Sequence, residues 1–452
     1  MFVSRPIFRQ TLAITPVALA NLLFGISLGW LPPTLQLYNN ANDTLSFTDE
    51  DCSAIVSAQY VGSVVGCVLL TFIVDTFGRN AVIVTAAILS LVSWVGVAFS
   101  QKVILHLLIR LVAGISIGLS NTIMSIYIGE NSGPGVRGIF NSGTALFVDC
   151  GMLLGCTVTT IYSYETSAYI IVAFALMNVS SAVLLREPAQ HLLAKGRLTE
   201  AENQFFQLRG RNEDTEKEFE DIKMNSTGEK TAFSFSFILD RHFLIACVTS
   251  MLIYLTGFPA VSAMVSIILM PTEQFSTNEL AILFELFQLV GAIISPFIID
   301  CFGRRTLWMV SAISIAIIHF FTAALYFAAE NDIEIPLYEW LLFGSITAYA
   351  AIFAVAMYPL GIIARAELLP QRLRIIGTCI ASILNAVTGT VVGYSFLWVA
   401  SDFGIQTNFI VYAVFSLITL IICYFYLPET QGMALTEIEK MLEKPKKEKT
   451  TT

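Results

Sequence analysis

Charge is what this sequence has least of. Only 13% of its 452 residues are Asp, Glu, Lys or Arg, against 56% hydrophobic. So little charge cannot cover the surface of an ordinary soluble globule, and that class is excluded. Lys and Arg number 25 against 34 Asp and Glu. There is no basic surplus for a nucleic-acid partner. The 4 His and 8 Cys show no ligand spacing, so neither a metal site nor a disulfide framework is expected. No nucleophile–base pattern stands out, which argues against an enzyme, and no cofactor is expected.

Long apolar runs are what the chain has instead. Runs of about 20 residues, enough to cross a bilayer, stand at 11–33, 53–74, 81–100, 103–127, 140–162 and 167–185. Six more stand at 243–269, 279–299, 307–328, 338–364, 377–399 and 406–427. The fold class expected is an all-α membrane protein of twelve transmembrane helices. Residues 1–186 form a first six-helix bundle, 187–241 a linker, 242–427 a second bundle and 428–452 a tail. Arg5 and Arg9 precede the first run without a small-residue cleavage site, so that run reads as an uncleaved span.

Lys and Arg orient the chain. With the N-terminus inside, Lys102 and Arg110 alone depart from the cytoplasmic side or its helix ends. Both termini are then cytoplasmic. Asn42-Asp43-Thr44 falls in the first outer loop as a glycosylation acceptor. In the linker, Leu198, Ala201, Phe205 and Leu208 make one helical stripe, and Thr199 with Glu202 reads as a capping box. The run 209–230 reads as helix or as disordered linker.

Two short tracts organise the rest: Asp75-Thr76-Phe77-Gly78-Arg79 and Asp300-Cys301-Phe302-Gly303-Arg304. Each is a tight polar turn between apolar runs, with Gly supplying a permissive backbone. Glu130 and Arg137 stand seven apart after the fourth run, and Glu367 and Arg374 stand seven apart after the tenth. The repeat makes the two bundles pseudo-symmetric, as in transporters with a site between the halves.

These residues carry a resemblance. With Gly25–Pro33, Arg110–Glu130, the stretch opening at Glu187, Glu367–Gly377 and Pro428-Glu429-Thr430-Gln431-Gly432, the chain resembles the sugar-transporter branch of the major facilitator superfamily, especially the animal facilitated glucose and trehalose carriers. The resemblance covers nearly the whole chain. It implies alternating access, a midplane site and a cytoplasmic gate of ion pairs across the two bundles. The gate residues are Asp75, Gly78, Arg79, Glu130, Arg137, Glu187, Asp300, Gly303, Arg304, Glu367, Arg374 and Glu429.

The substrate positions depart from that pattern. Ile253-Tyr254 replace a Gln-Gln pair, Pro259 an Asn, Ala145 a Gln and Ile362 a Trp. Gln288 stands for a sugar-contacting Asn, and Asn385 matches an Asn. The solute is expected near Gln288, Asn385, Thr256 and Tyr358, with Glu285 one turn above Gln288 on the same face. Arg110 lies within the fourth span, and Asp149, in the fifth, is expected to pair with it. Proton-coupled relatives carry an Asp where Ser27 stands, so the expectation is facilitated diffusion of a small neutral solute, a sugar or polyol, by a monomer in the plasma membrane. Two alternatives stay open: a proton-coupled sugar symporter using Asp149, and a transporter-like sensor that binds without flux. His319 is expected to pack and find a backbone partner. Pro359 is expected to break the tenth span.

Overall fold

The structure is a computed structural model that describes residues 5–39, 47–100, 102–226, 241–369, 374–429 and 431. Among the described residues, twelve helices are long and apolar enough to cross a membrane. The first half holds α1 (Arg5–Gly29), α2 (Asp49–Phe77), α3 (Arg79–Phe99), α4 (Val103–Asn131), α5 (Pro134–Ile161) and α6 (Tyr164–Val183). The second holds α7 (Arg241–Leu255), α8 (Thr277–Cys301), α9 (Arg304–Glu330), α10 (Tyr338–Ile352), α11 (Arg374–Phe403) and α12 (Ile405–Tyr426). The protein is an all-α membrane protein of two pseudo-symmetric bundles.

The repeat is visible in the helix ends. α2 starts on a capping box: Asp51 N–H donates to Thr48 Oγ1 at 3.2 Å, and Thr48 N–H to Asp51 Oδ2 at 3.0 Å. Its counterpart α8 starts on another, between Ser276 and Glu279. Each box satisfies donors that a helix start leaves unpaired. Within the first half, small residues let backbones approach: a Cβ on Gly62 would stand 2.1 Å from Leu111 O, and one on Gly114 2.0 Å from Gln59 O.

Two spans are broken. α7 stops at Leu255, and after Gly257, whose φ is +96°, the span resumes as Phe258–Ala263. Pro259 has no N–H to give, which ends the regular ladder there. α10 passes through a π turn, Phe353–Met357, into Tyr358–Leu368. The break expected at Pro359 therefore begins one turn earlier.

The halves meet along two seams, α2 against α11 and α5 against α8. Ser57 Oγ donates to Thr390 O at 3.3 Å in the first seam. At the end of the molecule away from the two Gly-Arg turns, Gln36 Nε2 donates to Thr277 Oγ1 at 2.5 Å. Against the Gly-Arg end lie three short helices, Ala189–Ala194, Leu198–Arg209 and Glu213–Ser226. They share a small core of Ala189, Leu192, Ala201, Phe205 and Phe219.

Two linker readings are corrected. The helix of the apolar stripe starts at Leu198 without a side-chain cap, so Thr199 does not cap it. Glu213–Ser226 is helical rather than a disordered linker, because Phe219 joins Phe205 and Phe206 at ring distances of 5.3 and 5.5 Å.

Candidate functional site

One constellation occurs twice. In the first half, the Glu187 carboxylate accepts from Arg79 N at 2.6 Å and Asn80 N at 3.0 Å, at the start of α3. In the second, the Glu429 carboxylate accepts from Arg304 N at 2.9 Å and Arg305 N at 3.1 Å, at the start of α9. A carboxylate on free N–H groups at a helix start is favourable. The Arg of each turn then reaches a Glu: Arg79 to Glu130 and Arg304 to Glu367, both at 3.1 Å. Arg79 Nη1 also donates to His191 Nδ1 at 2.8 Å, a contact that sequence reasoning missed.

The Arg79–Glu130 and Arg304–Glu367 pairs each lie within one half. Gly303, with φ −56°, needs no permissive backbone. It is small because a Cβ there would stand 2.6 Å from Glu429 Oε2, whereas Gly78 combines φ +94° with a Cβ site 2.7 Å from Glu187 Oε1. The side chains of Asp75, Arg137, Asp300 and Arg374, and all of Asn42, lie outside the described residues.

Arg110 and Asp149 do not pair. Arg110 is buried beneath Trp30, its guanidinium carbon 4.4 Å from the ring centroid. Its Nη1 donates to Ser27 Oγ and Gln59 Oε1 at 2.9 Å each, and to Ser27 O at 3.3 Å. Asp149 Oδ1 instead accepts from Gln288 Nε2 at 2.8 Å, across the α5–α8 seam. The reason is rotation rather than depth. Val148 and Met152 of α5 meet the backbone of Gly25 and Gly29 in α1. One residue on, about 100° around the helix, faces α8.

Glu285, on the same face of α8 as Gln288, is 1% exposed, and neither carboxylate oxygen has a hydrogen-bond partner. It is enclosed rather than lining an open cavity in this conformation. Gln288 Oε1 and Asn385 Oδ1 are also buried without partners. Tyr358 is half-buried beside the π turn.

Thr256 lies at the break in α7. Its hydroxyl donates to Ile253 O at 2.6 Å, and its carbonyl accepts from His319 Nε2 at 3.0 Å and Tyr349 OH at 3.1 Å. The break at Gly257 frees that carbonyl from the helix ladder, and buried side chains take it up. His319 thus finds its backbone partner.

Arg365 was missed. Position in the chain places it at a helix end with the other basic residues. Its Nε instead donates back to Gly361 O at 3.2 Å, which turns the guanidinium toward Tyr358. The signal was helical spacing: 358, 361 and 365 share one face.

The family model described as "Sugar (and other) transporter" matches residues 13–442. The facilitated trehalose transporter Tret1 of Bombyx mori is 24% identical over 443 residues, covering 96% of this chain and 87% of the relative. Sugar transporter ERD6-like 17 of Arabidopsis thaliana is 24% identical over 425 residues, covering 93% and 89%. Among solved structures, the proton:xylose symporter XylE bound to 6-bromo-6-deoxy-D-glucose superposes with a TM-score of 0.79 at 19% identity, covering 96% of this chain and 99% of that one. The inward open conformation of XylE from E. coli gives 0.78 at 19% identity, covering 95% and 98%.

Proposed function

This chain belongs to the sugar (and other) transporter family, and from that premise we propose that it carries a sugar or polyol across the plasma membrane by alternating access. The observation that carries the reading is the doubled Glu–helix-start–Arg–Glu constellation at one end of both halves. Two rigid lobes, each braced at the same end, can rock about the seams between them. The Gly-Arg end is taken as cytoplasmic on the Lys and Arg distribution. Asn42 then faces outward as a glycosylation site, and the protein acts as a monomer.

Transport is downhill in this reading. Arg110 is held by Ser27 and Gln59, both neutral, with Ser27 standing where proton-coupled relatives carry a carboxylate. Gln288 and Asn385 keep free buried acceptors for solute hydroxyls. Asp149 and Gln288 close the α5–α8 seam when the halves approach. Arg137 and Arg374, with Glu130 and Glu367, complete the inner latch.

A second reading, proton coupling, is favoured by one observation: Asp149 and the unpartnered Glu285 both face the α5–α8 seam. Purified protein in liposomes decides between them. Saturable uptake of labelled glucose, trehalose or sorbitol that ignores an imposed proton gradient supports facilitated diffusion. Uphill accumulation that follows the gradient and vanishes in Asp149→Asn replaces it with symport. Saturable binding without any uptake leaves a sensor.

A further inference from the structure

We propose that Arg365 is the centre of an oxyanion-binding site between the two halves, and that the solute carried is an acidic sugar bearing a carboxylate or phosphate. The proposal rests on the carrier reading above and narrows its substrate class.

Placement comes first. Arg365 closes the 28-residue tenth span, and its Nε bond to Gly361 O turns the side chain back along its own helix. α7 packs on that face: Ile253 Cδ1 lies 2.1 Å from where a Cβ on Gly361 would stand. Tyr254 follows Ile253, and its ring centroid is 6.2 Å from that of Tyr60, on α2 of the other half. Tyr254, Tyr358 and Cys67 of α2 all lie within electrostatic reach of Arg365. The guanidinium is therefore in the seam between the halves.

Chemistry comes second. Arg365 is half-buried, and a guanidinium partly withdrawn from water at the end of a span gains from an anionic partner. Arg110, the comparable cation in the first half, has three oxygen contacts and an aromatic face. Arg365 has one backbone carbonyl and no ion pair among the described residues. Glu367, two residues on in the same helix, is engaged by Arg304, and Asp149 by Gln288. Both Nη atoms remain to grip a planar oxyanion in a fork.

The surrounding groups fit the same ligand. Amides both donate and accept, which suits the hydroxyls of a neutral sugar. Phenol hydroxyls of Tyr254 and Tyr358 beside a guanidinium make a donor-rich set. A guanidinium beside two phenol hydroxyls offers more donors than acceptors, which favours an anion over a neutral hydroxyl.

The test uses the full chain in liposomes, with labelled D-glucuronate and D-glucose as tracers and unlabelled glucose 6-phosphate as competitor. We expect saturable glucuronate uptake that exceeds glucose uptake. Arg365→Gln should lower glucuronate uptake by roughly tenfold, the scale of one charge-assisted bond, and lower glucose uptake by a clearly smaller factor. Arg365→Lys should restore part of it. Competition by glucose 6-phosphate would extend the ligand to phosphates, and its absence would restrict it to carboxylates. Glucose entering while glucuronate neither enters nor competes overturns the proposal. So does an equal loss of both tracers in Arg365→Gln, the mark of a structural role. If no tracer enters, the carrier reading fails, and the site is judged by melting. Stabilisation by glucuronate or glucose 6-phosphate in the wild type but not in Arg365→Gln upholds it, and no stabilisation refutes it.

Discussion

Gln288 Nε2 lies 2.8 Å from Asp149 Oδ1, and the two side chains belong to different halves of the molecule. The bond exists only while α5 and α8 are together. It therefore reports the seam's state and stabilises the closed one, by about 1.5–3 kcal/mol for a bond to a charged group and less if Asp149 holds a proton. Met152 Sδ lies 3.4 Å from the same amide nitrogen.

Gln288→Leu should therefore weaken closure more than Asp149→Asn. The first leaves Asp149 buried without a donor, while the second puts a side-chain amide there that still offers Gln288 an acceptor. The expected outcome is a several-fold lower exchange flux in Gln288→Leu and at most a twofold change in Asp149→Asn. Equal losses would show that the charge of Asp149, not its hydrogen bond, matters for flux.

The two Gly-Arg turns should fail for different reasons. Gly303→Ala suffers only from the Glu429 carboxylate, 2.6 Å from the added Cβ. Removing that carboxylate in Gly303→Ala/Glu429→Ala should recover most of the thermal stability that Gly303→Ala loses beyond the Glu429→Ala variant. Gly78→Ala carries a left-handed φ of +94° as well, a strain of about 1–2 kcal/mol. Gly78→Ala/Glu187→Ala should stay that much below Glu187→Ala. Melting curves of the six variants, read as two cycles, check this.

The buried ion pair should matter more than the exposed one. The side chains of Arg79 and Glu130 are each 9% exposed, those of Arg304 and Glu367 20% and 16%. Solvent screens the second pair more strongly. Glu130→Gln should therefore lower the melting temperature more than Glu367→Gln. The reverse order would mean that contacts beyond the two Arg dominate at Glu367.

The spans were legible because the bilayer leaves little choice. The run 338–364 became Tyr338–Arg365, and 53–74 became Asp49–Val74. The doubled turns were legible because a chain that leaves a membrane and re-enters at once needs the same polar residues each time. Side-chain direction was not legible to the same degree. Asp149 was matched to Arg110 by depth alone, and one residue of rotation sent it to Gln288. Arg365 was placed by its chain position, although its side chain runs the other way. Thr256 was read as a polar group awaiting a solute, but the break at Gly257 had already supplied it with neighbours.

That break yields the last prediction. The Thr256 carbonyl, freed by the turn at Gly257, takes two donors, His319 Nε2 and Tyr349 OH. A carbonyl with two lone pairs tolerates the loss of one partner better than both. His319→Phe or Tyr349→Phe alone should cost little, each well under the penalty for an orphaned buried group. The double variant should cost about 1–3 kcal/mol more than the sum of the singles, because only then is the carbonyl left bare. Tyr349 also touches the Thr256 hydroxyl at 3.4 Å, so Thr256→Val serves as a control that removes the hydroxyl and keeps the carbonyl. Strict additivity in a double-mutant cycle, read by thermal melting, would mean that the hinge is held by packing of the His319 and Tyr349 rings, 4.5 Å apart, and not by the carbonyl.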